Sequence, residues 1–183
     1  MSNRQYIFSE TLTKDDIKSI RKKLKLTQKA FAELVNVSVK TVERWEISDT
    51  PITGPIVPLV TLLEKNLLLQ AEISVPQKNM PLRLWYYYKN MVCSIIDVDE
   101  QNRNVKVYNY TNNLMKRAFG CAKEVTFEDY EEFLKSRCFP NTRDKMKLIL
   151  RDLDLPFYDP LLIIEKTKGK MAEDDFWIRI ERE

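Results

Sequence analysis

From Thr13 to Lys65 the apolar residues return every three or four positions, the interval of helices that each bury one face. Thr13 followed by Asp16 is a capping-box-like start for a helix carrying Ile17, Ile20 and Leu24 inward. Thr27 can cap a second helix with Phe31, Ala32 and Val35 inward, and Ser38 a third with Val42 and Trp45 inward. Pro55 opens a fourth, from about Thr53 to Lys65, whose inward set reads Ile56, Leu59, Leu62 and Leu63. Leu67, Leu68 and Leu69 then add apolar surface beyond what a small bundle needs. At Leu82 the pattern changes. Leu82–Lys89, Met91–Val98 and Val105–Tyr110 are short runs rich in β-branched and aromatic residues, divided by turn residues, and predict a three-stranded meander. Helices follow: Phe127 to about Arg137 behind Thr126 and Asp129, Thr142 to about Arg151 behind Asn141, and one from Asp159 that Gly169 ends. The expected fold class is α + (α+β): an N-terminal helical bundle, then a small antiparallel sheet followed by helices. The expected domains are residues 1–75 and 82–183, joined by the polar, proline-bearing linker 74–81.

The stretch Thr27–Ile47, TQKAFAELVNVSVKTVERWEI, carries the most specific spacing. Two short helices crossing steeply need a left-handed residue at the corner, which Asn36 can supply, and a small residue where they touch, which is Ala32. With Val42 and Trp45 turned in, the helical period leaves Val39, Lys40, Glu43 and Arg44 facing out. This is the layout of a helix-turn-helix, with the outward face a candidate for the DNA major groove. Glu43 opposes phosphate, and can instead pair with Lys40 or Arg44 or accept from cytosine.

Composition narrows the alternatives. The chain has no histidine, which removes Ser-His-Asp and Cys-His nucleophiles and the commonest transition-metal ligand. Its three glycines are isolated, so no loop can cradle phosphates as a P-loop does. Three widely spaced cysteines, Cys93, Cys121 and Cys138, form neither a disulfide framework nor a zinc motif. An enzyme is not expected, nor a cofactor or metal. No apolar run is long enough to span a bilayer and the N-terminus lacks the design of a signal peptide, so the expected location is the cytoplasm. Residues 1–80 hold 12 Lys and Arg against 9 Asp and Glu, while the remainder is balanced at 18 of each. Lys14, Lys18, Arg21, Lys22, Lys23, Lys25 and Lys29 gather around the first helix and the entry to the second, where phosphate contacts belong.

Two weaker patterns have ordinary structural readings. Trp85-Tyr86-Tyr87-Tyr88 can form a stacking platform for single-stranded nucleic acid, but no basic groove flanks it, and a core face with an interface or the underside of the later helices opposite fits better. Asp97 and Asp99 with Glu100, and Glu173-Asp174-Asp175, have the oxygen chemistry for a hard cation, yet lack a nucleophilic or basic companion and sit where turns are acidic anyway.

The segment IRKKLKLTQKAFAELVNVSVKTVERWE with TGPIVPLVTLLEKN resembles the Xre-type helix-turn-helix family of phage repressors and many antitoxins. Asn36 replaces the family's usual glycine. The resemblance implies that Gln28 touches a phosphate, that Ser38 and Thr41 anchor to DNA backbone, and that Val39, Lys40 and Arg44 face base edges, with Arg44 bidentate on guanine. The second half is similar to the N-terminal region of HipA-type toxin proteins, through LRLWYYYKNMVCSIIDVDEQNRNVKVYNY, FLKSRCFPNTR and DDFWI. The kinase core that follows this region in that family lies outside these 183 residues, so kinase activity is not implied. In some operons of that family a separate small protein of this kind acts beside a helix-turn-helix protein to restrain the kinase. The combined expectation is a HipB-like repressor and antitoxin, homodimeric on an inverted-repeat operator in double-stranded DNA, with residues 82–183 docking a HipA-like toxin or another protein. The alternative is a protein-binding inhibitor, a contact antitoxin or phage counter-defence protein, in which DNA binding is incidental.

Overall fold

The computed structural model describes Tyr6 and residues 8–182. The remaining N-terminal residues of the 1–75 segment, and Glu183, fall outside the described residues. The chain divides into two compact units, Met1–Val75 and Pro76–Glu183.

The first unit is helical: α1 (Lys14–Lys23), α2 (Gln28–Leu34), α3 (Val39–Ile47), α4 (Ile56–Lys65) and the short α5 (Leu69–Ile73). Local chemistry sets the starts. Thr13 and Asp16 exchange the reciprocal bonds of a capping box, Thr13 N–H donating to Asp16 Oδ2 at 2.7 Å and Asp16 N–H to Thr13 Oγ1 at 3.3 Å. Thr27 accepts from Ala30 N–H at 3.1 Å and Ser38 from Thr41 N–H at 3.2 Å. Asn36 takes φ 55° at the corner, the left-handed position its side chain tolerates better than most. The core joins Ile17, Ile20, Phe31, Ala32 and Val42 to Ile56, Val57, Val60 and Leu63. Here the structure corrects the reading of α4. Leu62, expected inward, is 56% exposed, because the helix is rotated to bury the β-branched Val57 and Val60 instead. Trp45 is only half-buried against this core. Leu69 packs on it as well, while Leu67 and Leu68 stay exposed.

The second unit contains β1 (Leu82–Tyr88), β2 (Met91–Asp99), β3 (Asn104–Asn109), α6 (Phe127–Ser136), α7 (Met146–Asp152), α8 (Pro160–Thr167) and β4 (Phe176–Arg182). The expected meander gains a fourth strand, and the sheet order is β3-β2-β1-β4 with all neighbours antiparallel. The alternation in FWIRIER was readable as a strand, but its partner β1 lies at the other end of the unit in sequence. Leu84, Tyr86, Ile96, Val98 and Ile178 meet Tyr130, Phe133 and Leu134 of α6 and Ile163 and Ile164 of α8 in one core. Thr126 and Asp129 cap α6 reciprocally, and Asp159 caps α8 by accepting from Leu162 N–H at 2.9 Å, with Pro160 at the first helical position. Lys168 and Gly169 both turn left-handed to end α8, and a Cβ on Gly169 would sit 3.2 Å from Ile178 Cδ1. The helix expected behind Asn141 does not form there. The chain turns at 140–143, where Arg143 N–H donates to Pro140 O, and α7 begins only after the left-handed Lys145.

Two arginines each hold a carboxylate inside this unit. Arg83 Nε and Nη2 donate to the two carboxylate oxygens of Asp97 at 2.5 and 2.7 Å, both residues being buried, and Arg83 Nη1 donates to Pro76 O at 2.9 Å. Arg137 spans Gly169 O and the Asp174 carboxylate. Asp97 and Asp174, considered as cation ligands in sequence, therefore serve as arginine partners, and Asp99 accepts from Asn102.

Tyr130 is fully buried, and its hydroxyl has no hydrogen-bond partner among the described residues. A buried polar group without a partner carries its desolvation penalty uncompensated. Tyr130→Phe should therefore raise unfolding stability by about 1 kcal/mol, measured by urea denaturation. A loss of stability would mean that the hydroxyl has a partner after all.

Candidate nucleic-acid interface

The interface is built on α2 and α3, and what sets their mutual position is an ionic cluster. Arg21 on α1 donates from Nε and Nη2 to the two oxygens of Glu46 on α3 at 2.6 and 3.0 Å. Gln28 Nε2, at the start of α2, donates to Glu46 Oε2 at 2.9 Å, and Arg21 Nη1 reaches Leu26 O at 3.1 Å. Glu46 is 4% exposed, so the cluster pins three helices and the α1–α2 turn from the inside. The hydrogen bond from Arg21 holds the Glu46 carboxyl below its usual range against the opposing effect of burial, with Gln28 adding to it, and the same bond raises Arg21.

Beyond the cluster, α3 presents its other face to solvent. Lys40, Glu43 and Arg44 are exposed, and Val39 is 36% exposed. Among the described residues none of these three charged side chains is in an ion pair, so Glu43 neutralises neither neighbouring cation. Thr41 is half-buried, and its hydroxyl lies 2.8 Å from that of Ser38 at the helix start. The expected site residues Ser38, Val39, Lys40, Thr41 and Arg44 thus share one element, while Gln28 stands on α2 with its amide turned to Glu46.

The basic run around α1 sorts into two groups. Arg21 is consumed by Glu46, Lys14 pairs with Asp49 at 2.6 Å and Lys23 with Glu64 at 3.1 Å. Lys18, Lys22, Lys25 and Lys29 are in no ion pair among the described residues. The residue missed in sequence is Glu46. The count that placed Val42 inward also places the residue one turn later inward, and an acid there signals a buried partner. Among the described residues no cluster of metal-ligating side chains forms.

Residues 17–57 match the helix-turn-helix family model HTH_3. The matched span runs from the first core residue of α1 to the start of α4 and includes the whole ionic cluster. No curated protein matches the chain. The N-terminal unit carries a helix-turn-helix of Xre type, and this supports a DNA-binding transcriptional regulator. Among the described residues no helix is long and apolar enough to cross a membrane.

Glu46→Gln keeps the shape but leaves the Arg21 guanidinium without its counter-charge, and should cost about 2–3 kcal/mol. Because the folded Glu46 titrates below its unfolded value, its contribution is present above that value and lost as pH falls through the folded one. Wild-type stability should therefore drop in acid more steeply than that of Glu46→Gln. Thermal melts of both proteins from neutral pH down to about pH 3 check this, and parallel curves would remove Glu46 from the account.

Proposed function

We propose that this chain is a sequence-specific repressor of Xre type, the HipB-like antitoxin and autorepressor of a HipA-like toxin, acting as a homodimer on an inverted-repeat operator in the cytoplasm. The observation that carries the DNA-reading part is the uncommitted pair Lys40 and Arg44, one turn apart on the exposed face of a helix whose other side is clamped by Arg21, Glu46 and Gln28. In this reading α3 enters the major groove, Arg44 forks onto guanine, and Val39 and Lys40 meet neighbouring base edges. Ser38 and Thr41 contact the phosphate backbone, and Gln28 turns part of its amide to a phosphate while held by Glu46. The unpaired Lys18, Lys22, Lys25 and Lys29 supply sequence-independent attraction. Residues 82–183 take the partner-binding role, supported by their balanced charge and by the HipA-like segments that lie in this half.

Arg44→Ala should weaken operator binding by about 1–3 kcal/mol while leaving scrambled duplex nearly unchanged. Gln28→Ala should weaken both duplexes alike. Gel-shift titrations of the two variants on both duplexes separate base readout from phosphate contact, and equal losses for Arg44→Ala would end the direct-readout assignment.

The dimer should cover half-sites about one helical turn apart, roughly 34–36 Å centre to centre. Footprinting and light scattering of the DNA complex test this, and one protein per site would contradict it. Pull-down by the full chain of a kinase-like protein encoded beside it is the corresponding test of the antitoxin role. Capture of such a partner with no operator binding at physiological salt favours the contact-inhibitor reading instead.

A further inference from the structure

We propose that the free edge of β3 is the seam through which a second copy of this chain pairs, joining the two four-stranded sheets into one continuous antiparallel sheet. This deepens the homodimer part of the function proposed above and is independent of operator recognition.

The two edges of the sheet differ. On β4, Ile178 N–H donates to Lys168 O at 2.8 Å, so the end of α8 occupies part of that edge, and Arg182 is tied to Glu165 at 2.6 Å. Among the described residues the β3 edge has no such cover. Tyr110 N–H donates to Cys93 O at 2.9 Å, which turns the backbone groups at this parity toward β2. Strand alternation then points the N–H and C=O groups of Val105, Val107 and Asn109 outward. Among the described residues no segment of chain pairs with them. Of the usual protections the strand carries one, the charged Lys106, and lacks two. There is no proline in the strand, and the register irregularity of this sheet lies between β1 and β2.

The strand is complementary to itself under a two-fold axis at Val107. That axis sets Val107 against the partner copy's same residue, so each exchanges backbone hydrogen bonds with the other. It sets Val105 against an asparagine, and Lys106 against a tyrosine, twice over. The Lys106–Tyr108 combination is attractive in this chemistry: within one strand Lys106 Nζ already lies 5.2 Å from the centroid of the Tyr108 ring. A groove of about 300 Å³ runs beside the edge between the strand and residues 119–125, with Val107, Phe119 and Val125 in a wall that also carries Asn109, Lys123 and Glu124, and leaves room for an incoming strand. Its charged members, Lys106, Lys123 and Glu124, leave one net positive charge, too weak a field to select a strongly charged peptide.

The test uses the full chain without DNA, with mass followed by sedimentation across a dilution series. Tyr108→Lys places like charges opposite each other at both Lys106 positions and should raise the dimer dissociation constant about tenfold or more. Tyr108→Glu, at the same half-buried position, places opposite charges there and should keep or tighten the dimer. Val107→Pro removes the outward N–H at the axis without touching a bond to β2, and should dissociate the dimer with unchanged circular dichroism. Should the proline variant unfold, the Tyr108 pair decides alone. A wild-type monomer, or a dimer indifferent to the sign of residue 108, overturns the seam. Monomer–dimer results that follow this pattern alongside failed operator binding would overturn only the DNA-reading proposal. Dimer loss confined to substitutions of the exposed Leu67 and Leu68 would move the seam to the helical unit.

Discussion

The buried Arg21–Glu46 pair is the constraint on which the helix-turn-helix depends. A carboxylate that is 4% exposed survives inside a helical bundle only if its charge is met and its oxygens are bonded, and here both oxygens accept from Arg21 while one also accepts from Gln28. Apolar packing of Phe31, Ala32 and Val42 brings α2 and α3 together but tolerates small rotations, since hydrophobic contact is non-directional. A forked guanidinium–carboxylate contact does not tolerate them. The rotation of α3 about its own axis decides which residues face out, so the ionic cluster inside determines that Lys40 and Arg44 face solvent.

The second unit uses the same device for a different end. Arg83 and Asp97 join adjacent strands β1 and β2 across their register, and Arg137 ties α6 to the turn after α8 and to the segment leading into β4. That second tie brings the last strand to β1, where the aromatic run then finds its partners. Tyr87 stacks on Trp177 with centroids 4.2 Å apart, and Trp85 lies under Arg179 at 4.4 Å while its indole N–H donates to Glu181. Tyr86 is buried between Phe133 and Phe176. Rings read in sequence as a possible stacking surface therefore spend their faces on cross-strand contacts within the sheet.

Legibility followed the range of the interaction. The caps at Thr13, Thr27, Ser38, Thr126 and Asp159 rest on contacts three residues apart, and sequence inspection places them correctly. Asn36 at the corner is equally local. The rotation of α4, the delayed start of α7 and the pairing of β4 depend on partners distant in sequence, and there the reading departs from the structure. Leu62 and Leu63 are equivalent as hydrophobes, and Leu63 is the buried one because it shares a helical face with Ile56 and Val60. Glu46 falls between these cases. Its inward position is a local inference, but its partner Arg21 lies 25 residues away within a basic run, so the pairing is not.

The cations of this chain divide between internal structure and open surface. A net charge of +3 says little, because it counts cations spent on internal structure together with those open to a phosphate. Arg21, Arg83 and Arg137 form bidentate or multiple bonds inside the protein, whereas Lys40 and Arg44 form no ion pair among the described residues. Arginine is chosen for the interior because its planar fork satisfies two carboxylate oxygens at once and remains charged when buried. The same property underlies the guanine contact proposed for Arg44, since O6 and N7 present two acceptors in a plane. An arginine that the fold has already supplied with a carboxylate is closed to DNA, and on α3 the one inward-facing carboxylate, Glu46, is taken from the other side by Arg21, which leaves Arg44 open.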